Sequence, residues 1–275
     1  MVRLGFGLAA AVWTTPAHAL DNGLGKLPGL GWNSDYCTNC SGPVSFFGSR
    51  PGFGAGLRGY GGEAFVKHIA DHMHTFKYKT SGASKTLQEL GFKYVNMDAS
   101  WDSFNRSASG DLVPDPTLWP SGIDHTVSYL HSLDMGFGLY GDRGTLDCAK
   151  HPGAQGHEAQ DGKWLGEHKI DWYKEDACYA TGDQATALAE YGKMRDALNS
   201  SGYRVWFALC GWEPWYAPHG KTLANSARIG PDTGTGWTSV LKNLENALPV
   251  QEFAGPTTSG GYWNDGSLML TPVRC

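Results

Sequence analysis

Seven short apolar runs that read as β-strands recur along the chain, with helical patterns between them. The strand candidates are residues 29–34, 94–98, 136–142, 171–176, 204–210, 227–232 and 261–265. The helical stretches are 63–73, 123–133, 158–168, 183–198 and 238–248. Such alternation specifies parallel strands covered by helices, because a parallel neighbour is reached only through a crossover, and a helix makes that crossover compact. Seven units favour a TIM-type (β/α) barrel over a doubly wound sheet, whose first strand would lead into a glycine fingerprint. The one GxGxxG match, Gly54-Ala55-Gly56-Leu57-Arg58-Gly59, follows no strand and lies among Gly48, Gly52, Gly61 and Gly62, so it reads as a glycine-rich loop. Ten residues follow Asp265, too few for a crossover and another strand. The expected sheet therefore has seven of the eight barrel strands and a gap between the first and the seventh.

A length of 275 residues suits one barrel domain, and 41% hydrophobic residues supply its core. The net charge of −5 offers no basic face, which argues against a nucleic-acid partner. Eleven Trp and twelve Tyr suit stacking on sugar rings, although most must fill the core. At the N-terminus, Met1-Val2-Arg3 precedes an apolar stretch over 4–12 that is too short to span a bilayer, and Ala17-His18-Ala19 is a small-x-small cleavage pattern. Residues 1–19 are thus expected to be a signal peptide and 20–275 a secreted catalytic domain, with no later run suited to a membrane. Six cysteines in an exported chain favour disulfides, and Cys37-Thr38-Asn39-Cys40 lacks the second CxxC of a zinc site. Asn39, Asn105 and Asn199 open glycosylation sequons. His68 and His72 share a helix face that reads as solvated rather than metal-binding.

Five of the seven strand candidates end in an acid: Asp98, Asp142, Asp176, Asp232 and Asp265. A single Asp there would read as a cap for the next helix. Five suggest an acid-lined mouth, since barrel active sites form at the carboxyl ends of the strands. Carboxylates without a phosphate loop or a His-rich ligand set point to glycoside hydrolysis with no cofactor and no metal. Strand alternation puts Trp172, Lys174 and Asp176 on one face and Glu175 on the other. Lys174 so placed would either keep a nucleophilic Asp176 ionised or form a purely structural barrel-interior ion pair with Asp176.

The ordered motifs Leu20-Asp21-Asn22-Gly23-Leu24, Gly31-Trp32-Asn33-Ser34, Tyr94-Val95-Asn96-Met97-Asp98, Gly138-Leu139-Tyr140-Gly141-Asp142, Lys174-Glu175-Asp176-Ala177-Cys178 and Trp263-Asn264-Asp265 resemble glycoside hydrolase family 27, the α-galactosidases and α-N-acetylgalactosaminidases. The resemblance runs from Leu20 to about Leu270. It implies a retaining glycosidase acting on a carbohydrate substrate, with Asp176 as nucleophile. The Arg228-Ile229-Gly230-Pro231-Asp232 segment matches the family's acid/base stretch, which gives Asp232 that role and Arg228 a sugar contact. Asp98, Tyr140 and Lys174 take the family's other substrate-binding positions. The resemblance further implies a Cys148–Cys178 disulfide beside the site and a local Cys37–Cys40 bridge, leaving Cys210 and Cys275.

Departures from the family pattern cluster in the sugar pocket. Its Asp-Asp after the second strand reads Asp98-Ala99 and its following Cys is Ser100. A stacking Trp is Asp35, the Cys-Glu-Trp stretch is Cys210-Gly211-Trp212, and an acidic position is Ser267. Galactose need not be the preferred sugar; an arabinopyranoside or an α-glucoside is an alternative, as is a non-catalytic sugar-binding role. The family's eighth strand and C-terminal antiparallel β domain have no counterpart, so a C-terminally truncated barrel is expected.

Overall fold

The computed structural model describes residue 20 and residues 22–34, 62–79, 82–233, 237–258 and 260–266. Seven parallel strands form one curled sheet: β1 (Leu30–Asn33), β4 (Phe92–Asn96), β5 (Gly136–Asp142), β6 (Trp172–Asp176), β7 (Trp206–Leu209), β8 (Ser226–Arg228) and β10 (Gly261–Asp265). Each pairs with the next in that order, and β9 (Gly255–Pro256) adds a short antiparallel edge to β10. Among the described residues no strand joins β1 to β10, so the barrel is incomplete, with its gap between the first and seventh parallel strands. All seven strand expectations correspond to a strand: β5 and β10 match at both ends, and the other five have shifted ends. The largest shift is at β8, which stops at Arg228 rather than at Asp232. Ile229 still donates its N–H to the Asp265 carbonyl (3.1 Å), but Pro231 has no N–H to continue the ladder.

Helices cover the outer face of the sheet. They are α1 (Gly62–Thr75), α2 (Ile123–Ser132), α3 (Glu158–Glu167), α4 (Gln184–Ser200), the single turn α5 (Gly220–Leu223) and α6 (Trp237–Ala247). In α4 the buried Ala187, Tyr191, Met194 and Leu198 recur at helical spacing, and the Asp183 side chain caps the helix by accepting the Thr186 N–H at 2.8 Å. On α6, Trp237, Leu244 and Leu248 just beyond it stay largely exposed, so this helix turns an apolar row outward. A small hairpin of β2 (Lys77–Lys79) and β3 (Ser84–Thr86) follows α1 and has no counterpart in the sequence reading. On α1, the His72 ring meets the Tyr78 hydroxyl and the His74 ring meets Gln88.

Alternation along the strands sorts side chains into two layers. Phe137, Leu139, Tyr173, Phe207 and Leu209 are buried in the core between sheet and helices. The opposite parity fills the barrel. At its amino-terminal end, Trp172 and Trp206 lie side by side in register and stack at 4.6 Å with their planes 4° apart, and Tyr94 packs edge-on against them. This aromatic floor leaves the carboxyl ends of the same strands for the site. A strap over residues 22–29 runs beneath it. Asn22 donates to the Val205 carbonyl at 2.6 Å, and Trp263 Nε1 donates to the Gly25 carbonyl at 2.7 Å. The strap thus reaches β10, on the far side of the gap from β1.

Trp206 is buried and its Nε1 donates to Ser226 Oγ at 3.0 Å, so truncation removes both a stacked ring and a hydrogen bond. Trp206→Ala is expected to lower unfolding free energy by about 3–5 kcal/mol in urea denaturation. A loss below about 1 kcal/mol would show that the floor is not an anchor of the barrel.

Candidate active site

The site residues arise from four strand ends. Asp176 closes β6 and is buried. Its Oδ2 accepts a hydrogen bond from the Tyr140 hydroxyl at 3.1 Å, and its Oδ1 accepts the Ala177 N–H at 2.9 Å. Tyr140 lies on β5 directly opposite Lys174, and the Lys174 ammonium sits 4.9 Å from the centre of the Tyr140 ring. Lys174 donates to Asp98 Oδ2 at 2.7 Å, a barrel-interior ion pair with Asp98 in place of the Asp176 that strand alternation had put beside it. Asp98 lies two residues past β4, where its own N–H donates to Ser34 Oγ at 2.8 Å and fastens β1 to the second strand end. Asp98, Tyr140, Lys174 and Asp176 therefore form one continuous wall.

Cys148 and Cys178 are disulfide-bonded, with Cα atoms 5.2 Å apart, as the family resemblance implied. Cys148 Sγ lies 3.6 Å from Asp176 Oδ2, so the bridge forms a side of the nucleophile's niche. Cys37 and Cys40 lie outside the described residues. Cys210 is buried and not disulfide-bonded; the Arg228 guanidinium reaches its sulfur at 3.1 Å. Arg228, also buried, donates from its other terminal nitrogen to Asp232. Asp232 stands four residues beyond Arg228 with its side chain 65% exposed, so it belongs to the loop at the rim and not to a strand end.

Gly211 explains one departure from the family pattern. A Cβ built there would fall 1.8 Å from the Tyr216 ring, so the ring occupies the space that a Glu side chain would enter. Trp212 next to it has a positive φ of 61° and is exposed at the rim.

Burial pushes the Asp176 carboxyl above its ordinary value. Lys174 and Arg228 pull it down and the Asp98 charge pushes it up, so burial outweighs the lysine expected to keep it ionised. Asp142, at the end of β5 and opposite Asp176 in register, is fully buried. It accepts the Cys178 and Gly144 N–H groups, each at 2.7 Å. Burial, then the charges of Asp176 and Asp147, push it up to about 7. Burial alone would lower Arg228, yet the Cys210, Asp232 and Asp265 charges outweigh it and hold the guanidinium firmly protonated. Glu175 faces away from the barrel, as alternation required. It is wholly buried, neither carboxyl oxygen has a hydrogen-bond partner among the described residues, and burial raises it well above the carboxylate range.

Four ligand-type residues, Asp142, Cys148, Asp176 and Cys178, converge here, but the disulfide consumes both thiols, which leaves a poor donor set for a metal. The sequence reading overlooked a buried cluster beside the bridge, Asp102, Asp147 and His151. The signal it left was an Asp and a His flanking Cys148 at a spacing of four.

The fold and the site together define an enzyme-type (β/α) barrel, open at one seam, with buried carboxylates and a lysine at its carboxyl-terminal mouth. Comparison narrows the class. A family model described as Alpha galactosidase A matches residues 63–272. A probable alpha-galactosidase of Dictyostelium discoideum is 33% identical over 275 residues, covering 98% of this chain and 61% of the relative. An alpha-galactosidase of Cyamopsis tetragonoloba is 32% identical, covering 92% of this chain and 54% of the relative. A solved structure of the Saccharomyces cerevisiae enzyme with raffinose superposes with a TM-score of 0.69 at 25% identity, over 90% of this chain and 54% of that one. The chain belongs to the alpha-galactosidase family, glycoside hydrolase family 27. It spans little more than half the length of these relatives.

The raised Asp142 gives a pH prediction. Its folded value of about 7 exceeds its ordinary 3.8, so between those values the folded protein holds a proton that the unfolded chain has lost. Stability from this group is complete below the ordinary value and is lost as pH rises through about 7. Urea midpoints of the parent should fall across that window, and the fall should be smaller in Asp142→Asn. An equal fall in both proteins would remove Asp142 as its source.

Proposed function

We propose that this chain carries the catalytic barrel of a retaining glycoside hydrolase that releases terminal α-linked, galactose-like residues. Asp176 is the nucleophile and Asp232 the acid/base; Asp98, Tyr140, Lys174 and Arg228 hold the sugar. The observation that carries this reading is the niche of Asp176: a buried carboxylate steered by the Tyr140 hydroxyl, with the Lys174–Asp98 pair beside it and Arg228 tied to Asp232. The alpha-galactosidase relatives support the glycosidase reading itself.

In the first step an Asp176 oxygen attacks the anomeric carbon as the bond to the leaving oxygen breaks, and that oxygen takes the proton of Asp232. In the second, Asp232 removes a proton from water, which attacks the same carbon and frees Asp176, so two inversions give net retention. Arg228 holds the Asp232 carboxyl in place at the rim through its guanidinium. Tyr140 and the two nearby cations favour the Asp176 carboxylate needed for the first, against the opposing effect of burial. In the sugar-loaded enzyme the two carboxyl groups should stand about 5–5.5 Å apart.

The altered positions Ala99 and Gly211 remove carboxylates that would otherwise accept sugar hydroxyls, at a cost of about 1–3 kcal/mol per lost contact. The sugar is therefore best identified with a panel of p-nitrophenyl glycosides that includes α-galactoside, α-glucoside and arabinopyranosides. Residues 1–19 as a signal peptide would place the protein outside the cell, in keeping with its disulfide. The sequons at Asn105 and Asn199 lie on exposed residues, open to glycosylation in that setting.

Asp176→Asn is expected to reduce turnover on the best glycoside by at least about a hundredfold with the circular dichroism spectrum unchanged. Activity above about one part in a hundred of the parent rate would remove Asp176 from the nucleophile's role. The first-formed sugar, followed by proton NMR, should keep the anomeric configuration of the substrate.

A further inference from the structure

After β5 the chain doubles back in a tight hairpin over residues 145–153. Leu146 bridges Pro152, and Gly153 N–H returns to the Thr145 carbonyl at 3.1 Å. Cys148 is at the turn of this hairpin, where its sulfur meets both Cys178 and the Asp176 carboxylate. Asp147 shapes the turn. Its Oδ1 accepts the N–H groups of Ala149 at 2.8 Å and of His151 at 2.7 Å. His151 Nδ1 then meets Asp102 Oδ1 at 2.9 Å, across to the loop that follows β4. Asp102, Asp147 and His151 are all 5% exposed or less. Asp102 is itself anchored: Trp101 beside it donates Nε1–H to the Tyr140 carbonyl at 2.7 Å, and Asp102 bridges Pro114. A buried His–Asp clasp thus fastens the disulfide hairpin to the neighbouring loop, one side chain away from the nucleophile.

We infer that His151 is a positioning residue: paired with Asp102, it holds the Cys148 hairpin and thereby the wall of the Asp176 niche, and its loss of charge sets the alkaline limit of the reaction. The inference rests on the proposed role of Asp176 only for its link to turnover. The charged groups around the ring all bear on it. Burial would lower the His151 pKa, but the Asp102 carboxylate and then Asp147 outweigh burial and raise it above 6.5. Arg106 acts on Asp102 from a distance, its guanidinium being held by Asp161 at 2.6 and 2.7 Å. Phe104 covers the ring at 4.2 Å, and Asp142 senses Asp147. A histidine whose folded pKa is raised contributes stability that is complete below its unfolded value and is lost as pH rises through the folded one. The histidine's contribution to the clasp is therefore complete below 6.5 and is lost as pH rises through its raised folded value, while burial pushes Asp147 at the turn up to about 6.

The test pairs an activity readout with one that needs no activity. With a phosphine reductant, and with each rate divided by that of a small reference disulfide at the same pH to remove the reagent's own protonation, Cys148–Cys178 should be reduced about tenfold faster at about pH 8.5 than at about pH 5.5 in the parent. In His151→Gln reduction should be fast at both, and kcat on the best glycoside should fall at every pH with KM little changed. NMR titration of the parent should place His151 above its ordinary 6.5 and the Asp102→Asn protein below it. This keeps the inference testable if the Gln variant fails to fold. Reduction independent of pH in the parent, or a His151 titration at or below the ordinary value, overturns it. A protein without glycosidase activity that still shows the pH-dependent reduction would sink the reading of Asp176 and leave the clasp standing.

Discussion

The alternation of β6 is the constraint on which the rest depends. Trp172, Lys174 and Asp176 point into the barrel, and Tyr173 and Glu175 point to the helices. Trp172 sets the floor by stacking on Trp206, Lys174 fills the middle against Asp98 and Tyr140, and Asp176 reaches the mouth. A slip of one residue would put Glu175 in the barrel and turn the Lys174 ammonium and the Asp176 carboxylate against the hydrophobic layer. The stacked indoles oppose that slip because they match only in the observed register.

Electrostatics at the mouth follow from that geometry. Three acids, Asp98, Asp142 and Asp176, converge on adjoining strand ends, and all are buried. Each is treated differently. Asp98 receives an ammonium and one amide, Asp142 receives two backbone amides, and Asp176 receives a phenol and one amide. Like-charged neighbours separate in affinity for protons when their partners differ, which is how one site holds carboxyls in different states at one pH. Arg228, joined to both Cys210 and Asp232, carries positive charge from the barrel interior to the rim.

The parallel strands were legible because each is a short apolar run between turn signals, and β5 and β6 additionally end in the acids that mark the mouth. The β2–β3 hairpin was not, since Lys77–Lys79 and Ser84–Thr86 are polar, almost wholly exposed and carry no alternation. Asp232 was read as a strand end because an apolar run leads up to it; only the missing N–H of Pro231 marks the earlier stop. Asp176, Lys174 and Tyr140 could be placed by alternation and by family motif together. The Asp102–His151 pair could not, because its partners are 49 residues apart and meet only after two loops have packed. Nor could the partner of Lys174, since alternation fixes a face and not a neighbour.

The strap beneath the barrel has a consequence for biosynthesis. Trp263 bonds to Gly25 across 238 residues of chain, and Asn22 bonds to Asn225 across 203. A ribosome delivers the strap more than two hundred residues before these partners, so the aromatic floor stays uncovered while the intervening strands and helices are made. Contacts of such separation slow folding and lengthen the time that apolar surface is open to other chains. The nascent polypeptide thus has a long period of vulnerability, which ends only when β10 emerges and captures the strap.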